Sequence, residues 1–370
     1  MYAAPRRQQC NRHPMFYLGL TIALFLLRFA LAGKMPFSKQ VYFIVLVGLF
    51  LFSAFRYQVG CDWGGYYYQY LGAANFDWSS VTGIRDPIWW AILGWIQSTD
   101  LPYPVANIAS SAVFFLGVHV LARRQPDPLG FLVLLFPILI INMPMSGIRQ
   151  GAAIGLLCIA FVAFIDRRPL WFAFWVVLAA GFHISVMIFM LLLPVATGKY
   201  TRNRLLFTAF LAIPGAFALA SGEAGELATS RYIGTGTDAA GAIFRVGVLG
   251  LSAMHFFLFL RKKWLQTWSQ DYPLASIGAI GMALAFFIIP VSTVIGDRLG
   301  YYLIPIQAMI FARIPVLPLQ TNTQLHAALP YIGLALVFAV WTQLSWHFKV
   351  CYIPYQSWIF GFPGGGPFQF

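Results

Sequence analysis

Apolar residues fall in blocks of about 15–26 along this chain: 15–33, 41–55, 104–122, 129–145, 148–165, 170–195, 204–220, 242–260, 273–291, 298–313 and 327–347. Short basic clusters separate them. A helix of ~20 apolar residues rising ~1.5 Å each matches a ~30 Å hydrocarbon core. The pattern predicts an all-α, polytopic integral membrane protein of about 11–12 transmembrane helices. It forms a single integral membrane domain over 1–370, because no polar stretch is long enough to fold alone. No internal repeat is apparent and no cleaved signal peptide is expected. Residues 348–370 read as an irregular Gly/Pro-rich tail. A further block, "PIWWAILGWIQ" at 87–97, is too short to span and predicts an interfacial or re-entrant helix.

Block 170–195 is the ambiguous one, since it is long and carries His183 and Ser185 near its middle. The basic clusters decide how it is drawn. They are Lys34/Lys39, Arg123/Arg124, Arg167/Arg168, Lys199/Arg202/Arg204, Arg261/Lys262/Lys263 and Arg313. A single crossing puts the last three clusters opposite the first three. A hairpin broken at Gly181-Phe182-His183 puts all six on one face, as the positive-inside rule asks. The break near residue 182 then sits below the outer surface, inside a protein-lined or wet cavity. The polar segments 56–103, 146–148, 221–241 and 292–298 fall on the outer face, around an outer-face active-site cavity. This arithmetic also puts the N-terminus outside, in conflict with Arg6, Arg7 and Arg12. A start at Met15 removes the conflict, so residues 1–14 are expected not to be native.

The composition agrees: 60 % of residues are hydrophobic and 9 % charged, against ~25 % charged in soluble domains. The net charge of +13 orients helices and is not read as nucleic-acid affinity. The four cysteines, Cys10, Cys61, Cys158 and Cys351, have no CxxC or metal-ligand spacing. The predicted outer face between 56 and 298 holds Arg56, Arg85, Arg149, Arg231, Arg245 and Arg298 and no lysine. Guanidinium suits bidentate recognition of phosphate and carboxylate, so this bias points to an anionic ligand; chance among six residues is the plain alternative.

Five motifs carry candidate chemistry. In "FRYQVGCDWGGYYYQY" (55–70), Arg56 ends a helix at the outer interface and Asp62, Trp63 and Tyr66 follow. Interfacial aromatic belts explain many of these tyrosines, and sugar rings also need flat apolar faces beside hydrogen-bond acceptors. In "IRDPIWW" (84–90), Asp86 before Pro87 is a good helix start, with a binding role also open. In "MPMSGIRQGAAIG" (143–155), Ser146 is a candidate cap, and Arg149 and Gln150 fall in the first turn of the next helix. A cation there opposes the macrodipole. A bound phosphate would gain both the free N–H groups and the guanidinium; a snorkelling arginine is the bland reading. His183 with Ser185 is either a structural hydrogen-bonding group or a proton-transfer group. In "VIGDRLGYYLIP" (294–305), Asp297 is expected to neutralise Arg298, and Arg298 and Tyr302 share a helix face at i, i+4.

In this order the motifs resemble the EpsG/Wzy-type polysaccharide polymerases of bacteria. The resemblance rests on Arg56, Gly60, Asp62, Trp63 and Tyr66, on Asp86, Pro87 and Trp89, on Arg149 and Gln150, on Phe182, His183 and Ser185, and on Arg298 and Tyr302. It covers about residues 15–315. Cys61 sits where threonine is common, Asp86 where glutamate is frequent, and the tail "FGFPGGGPFQF" has no counterpart.

The resemblance implies polymerisation of lipid-linked oligosaccharide repeat units in the bacterial inner membrane, with the site facing the periplasm or exterior. A hydroxyl of one polyprenyl-diphosphate-linked repeat attacks the anomeric carbon of another, and polyprenyl diphosphate leaves. The partners it implies are that lipid-linked oligosaccharide, membrane lipids, and a chain-length regulator and flippase of the same pathway; no nucleic acid is implied. Diphosphate is a good leaving group that needs charge stabilisation, for which Arg149, Arg56 and Arg298 are candidates. Asp62 or His183 is the expected base, His183 slightly favoured. Gln150, Tyr302, Trp63, Tyr66 and Asp86 are expected on the glycan or diphosphate. No DxD or ExD pair occurs among the outer acids, so neither a metal nor a cofactor is expected. Two other classes stay open: another lipid-linked-sugar-dependent glycosyltransferase or glycan ligase, and a flippase or transporter of lipid-linked sugars.

Overall fold

The computed structural model describes residues 15–32, 35–75, 85–198, 201–203, 206, 241–319 and 322–363. Block 204–220, Arg231 and residues 1–14 lie outside them. Every named element among the described residues is helical. In chain order we name α1 Met15–Ala30, α2 Met35–Ala54, α3 Trp63–Gly72, α4 Pro87–Ser98, α5 Val105–Ala122 and α6 Pro128–Ile140. Next come α7 Ile148–Ile165, α8 Pro169–Ala180, a 3-10 arm Ile184–Val195, α9 Ala242–Thr267 and α10 Tyr272–Ile288. α11 Thr293–Arg313, α12 Thr323–Leu344 and α13 Trp346–Tyr352 complete the chain. Six of these (α2, α5, α7, α9, α11, α12) are long and apolar enough to cross a membrane. α1, α6, α8, the 3-10 arm and α10 are shorter apolar helices.

The long block 170–195 folds as a broken hairpin. α8 stops at Ala180, Gly181-Phe182-His183 turn, and the second arm starts at Ile184. The two ends meet again: a Cβ on Gly198 would lie 2.6 Å from Arg167 Nε. The second arm is a 3-10 helix and its sequence shows why. Val186, Phe189 and Val195 are buried at multiples of three residues, which is the repeat that puts one stripe on one face of a three-residue turn. Its 12 residues at ~2.0 Å rise reach ~24 Å, further than the ~18 Å of an α-helix of the same length.

Among the described residues, the basic clusters at 123–124, 167–168, 261–263 and Arg313 gather at one end of the bundle. Arg28 Nε donates to Asp127 Oδ2 at 2.8 Å, and Asp127 Oδ1 also caps α6 through Gly130 N. Arg124 pairs with Asp166. Arg313 donates to Gln125 Oε1 at 2.8 Å and pairs with Asp271. Gln270 reaches the Ile165 carbonyl. These contacts join the ends of α1, α5, α7 and α11 to the starts of α6 and α10.

The opposite end carries the interfacial helices. α4 buries Trp89, Leu93 and Ile96, the i, i+4, i+7 stripe of an amphipathic helix. α5 and α7 run parallel and touch without side chains between them: a Cβ on Gly117 would lie 1.8 Å from the Gly155 carbonyl oxygen. Such small-residue contacts bring membrane helices closest. Of the tail, residues 348–363 are described, and they continue α13 into a strap. Ser345 caps α13 through Phe348 N, and Cys351 is disulfide-bonded to Cys61. The strap after α13 then pairs with the first loop, Tyr57 N to Gln356 O and Trp358 N to Phe55 O, each at 2.9 Å.

Candidate functional site

The site lies at the end opposite the basic clusters, where the hairpin turn, α4, α7 and α11 converge. Ile88 N and Trp89 N both donate to the Gly181 carbonyl, at 2.9 and 3.2 Å. This ties the start of α4 to the hairpin turn. A Cβ on Gly181 would lie 2.4 Å from Ile88 Cδ1, so a larger residue there would force the Ile88 side chain to move.

Asp86 sits at this junction with φ +61, in the left-handed region that an L side chain rarely adopts. Its carboxylate does not cap α4. Oδ1 accepts from Ile184 N at 2.9 Å and Oδ2 from Arg149 Nη1 at 2.9 Å. One buried carboxylate thus holds the hairpin turn and the arginine together. Burial pushes the Asp86 carboxyl above the usual carboxylate range, and Ile184 N–H and Arg149 oppose that shift.

Arg149 stands in the first turn of α7. Its guanidinium lies 5.5 Å from the Tyr66 ring centroid, within range of cation–π attraction. No side chain caps the start of α7 at Gly147. Arg149 Nε is buried and has no protein partner, while the side chain keeps 26 % of its exposure. Trp89 stacks edge-on against Tyr66 at 5.3 Å and donates to Gln69 Oε1, which fixes this aromatic wall.

On the far side of Arg149, Gln150 Nε2 donates to the Arg298 carbonyl at 2.9 Å. One turn later, the Tyr302 hydroxyl meets Ser185 Oγ at 2.7 Å, and Ser185 Oγ meets His183 Nδ1 at 2.9 Å. α11 is thereby locked to the hairpin turn. Arg298 and Tyr302 keep their i, i+4 relation, but Asp297 turns away. It receives Arg245 through Nε and Nη2, at 2.8 and 2.7 Å.

Arg56 is placed differently from Arg149. It is fully buried, and it donates to Val59 O, Met145 O and Ser53 O at 2.8–3.0 Å. Its guanidinium lies 5.6 Å from the Trp63 ring centroid. It pins the first loop to the turn before α7, and presents no open face to a ligand in this arrangement. Gly60 makes the same approach possible, since a Cβ there would lie 1.9 Å from Met145 O. Ser146 does not cap α7; its hydroxyl reaches Asp62 Oδ2 at 3.3 Å. Asp62 itself is exposed. Both Asp62 and Arg149 act on Tyr66, which joins the two halves of the site.

Sequence reasoning brought forward most of these side chains and missed what binds them. The Gly181 carbonyl, the Ile184 N–H and the Cys61–Cys351 bond carry no local signal. His347 lies with its ring nitrogen near both sulfurs, but those sulfurs are bonded to each other and are not thiolate ligands.

The sequence profile of the EpsG family matches residues 39–357, from α2 through the strap. No curated protein and no solved structure matches the chain.

Proposed function

The chain belongs to the EpsG family, and on that premise we propose that it polymerises lipid-linked oligosaccharide repeat units. The donor is a glycan on polyprenyl diphosphate, and the acceptor is a sugar hydroxyl on a second lipid-linked repeat. The observation that carries this reading is the Arg149 guanidinium: one nitrogen is held by Asp86, the face is packed on Tyr66, and the side chain keeps 26 % of its exposure. A half-open, immobilised cation suits a phosphate oxygen better than a solvent ion.

The acceptor oxygen forms a bond to the anomeric carbon, and the bond from that carbon to the diphosphate oxygen breaks. The acceptor proton passes to a carboxylate, for which exposed Asp62 is the candidate. Arg149 and Arg298 offset the charge that develops on the diphosphate. Tyr66, Trp63 and Trp89 give flat apolar faces for sugar rings. Arg56 serves by holding the loop that carries Asp62.

We place the site on the periplasmic or outer face of a bacterial inner membrane. Two features support this. The lysine-rich clusters share the other end of the bundle, as cytoplasmic loops do. A disulfide sits at the site end, as suits an oxidising compartment.

The test is to incubate purified protein in liposomes with one defined lipid-linked repeat unit. A ladder of multiples is the expected product. Single additions would indicate a transferase or ligase, and movement across the bilayer without product a transporter.

A further inference from the structure

His183 is the natural choice for the base that deprotonates the acceptor hydroxyl, yet its hydrogen bonds argue otherwise. His183 has extended backbone, φ −155 and ψ 111, at the head of the 3-10 arm. Its Nδ1 accepts from the Ser185 backbone N–H at 3.4 Å. A backbone N–H can only donate, so Nδ1 must carry a lone pair. A neutral imidazole has one ring proton, which then resides on Nε2.

This sets the direction of the whole chain. With Nδ1 as acceptor, the Ser185 hydroxyl at 2.9 Å donates to it. Ser185 Oγ is then free to accept from the Tyr302 hydroxyl at 2.7 Å. The relay runs Tyr302 to Ser185 to His183, each hydroxyl proton pointing toward Nδ1. The Nδ1 lone pair is covered by two donors, and Nε2 already holds a hydrogen. Neither nitrogen is ready to take a proton.

We propose that His183 is a fixed Nε2–H hydrogen-bond donor to the departing diphosphate, with Ser185 and Tyr302 as the positioning residues that hold it in that tautomer. This rests on the polymerase reading above. Arg149 and Arg298 lie within electrostatic range of the ring, so an anionic oxygen placed among these groups meets donors on each side. No proton leaves His183 during the step. The carbon–oxygen bond to diphosphate breaks with both electrons going to the phosphate oxygen. The Nε2–H stabilises that charge, and the acceptor proton goes to Asp62. Holding the second ring nitrogen fixed by a hydrogen bond is the usual way a protein selects a histidine tautomer.

Amide replacements separate a donor from a base. In His183→Gln the terminal amide N–H reaches the position of Nε2–H; in His183→Asn it falls near Nδ1. Neither amide can act as a general base. The expected result is that His183→Gln polymerises within about tenfold of wild type, while His183→Asn and His183→Ala lose roughly a hundredfold or more, the usual scale for one oxyanion donor. Tyr302→Phe should lower the rate only in the presence of His183 and have no further effect in His183→Gln. A His183→Gln protein as inactive as His183→Ala, with both inserted and folded, overturns the proposal. A second readout is the affinity for a glycan-free polyprenyl diphosphate, which His183→Gln should retain and His183→Ala should lose. If wild type and His183→Gln bind that diphosphate, His183→Ala does not, and wild type makes no ladder, the polymerase reading fails while the ring is still a donor to diphosphate; if His183→Gln and His183→Ala bind it equally, the donor assignment fails.

Discussion

Two arginine–aspartate pairs sit at the same end of this bundle, and their surroundings differ. Arg245 meets Asp297 through two nitrogens and two oxygens, and both side chains are nearly closed to solvent, at 9 % and 11 % exposed. The rings of Tyr301 and Trp341 flank the guanidinium, each centroid at 5.8 Å. Arg149 meets Asp86 through a single bond, and Asp86 divides its carboxylate between Arg149 and the hairpin turn. The first pair satisfies itself. The second leaves a donor over, in a place the chain has gone to some structural cost to build, with an aspartate at positive φ. A closed pair holds helices together; a shared one holds a cation ready for something else.

The difference is sharpest when each pair is broken. Arg149→Ala is expected to reduce polymer by about a hundredfold or more, with insertion and fold unchanged, measured as ladder formation by purified protein. Arg149→Lys should be nearly as poor, because an ammonium cannot reproduce the planar fork. Arg245→Ala should act on the fold instead. Removing one partner of a buried pair costs about 3–5 kcal/mol, to be read as lost folded protein by size-exclusion chromatography in detergent. The double change Arg245→Met with Asp297→Leu removes both charges and should restore the fold and most of the activity. Asp86→Asn keeps an oxygen for Ile184 N–H and weakens the hold on Arg149. We expect a loss of about tenfold in rate, on the scale of a positioning contact. Cys61→Ser should have the smallest effect on chemistry, lowering the melting temperature while activity per folded molecule stays within about twofold.

Much of this architecture is legible in the sequence because a bilayer leaves few solutions. Block lengths predict most of the described helices, and the basic clusters favour the hairpin at residues 181–183 that the fold contains. The local chemistry is less legible, for physical reasons. Ser146 and Asp86 both precede helices and read as caps, yet each side chain turns to a partner far along the chain: Asp62 for one, Arg149 and Ile184 for the other. Asp297 and Arg298 are neighbours in sequence, but adjacent helical residues diverge around the axis and do not face each other. The true partner, Arg245, is 52 residues away. Arg56 and Arg149 look alike as outer arginines, and only packing separates the one committed to carbonyls from the one left open. Cys61 and Cys351 are 290 residues apart, and no spacing rule reaches so far.

The most direct measurement is ladder formation by three purified proteins on one defined lipid-linked repeat unit: wild type, Arg149→Ala, and Arg245→Met with Asp297→Leu. The account predicts ladders from wild type and from the double variant and none from Arg149→Ala, with all three folded and monodisperse. Full-length ladders from Arg149→Ala would contradict it.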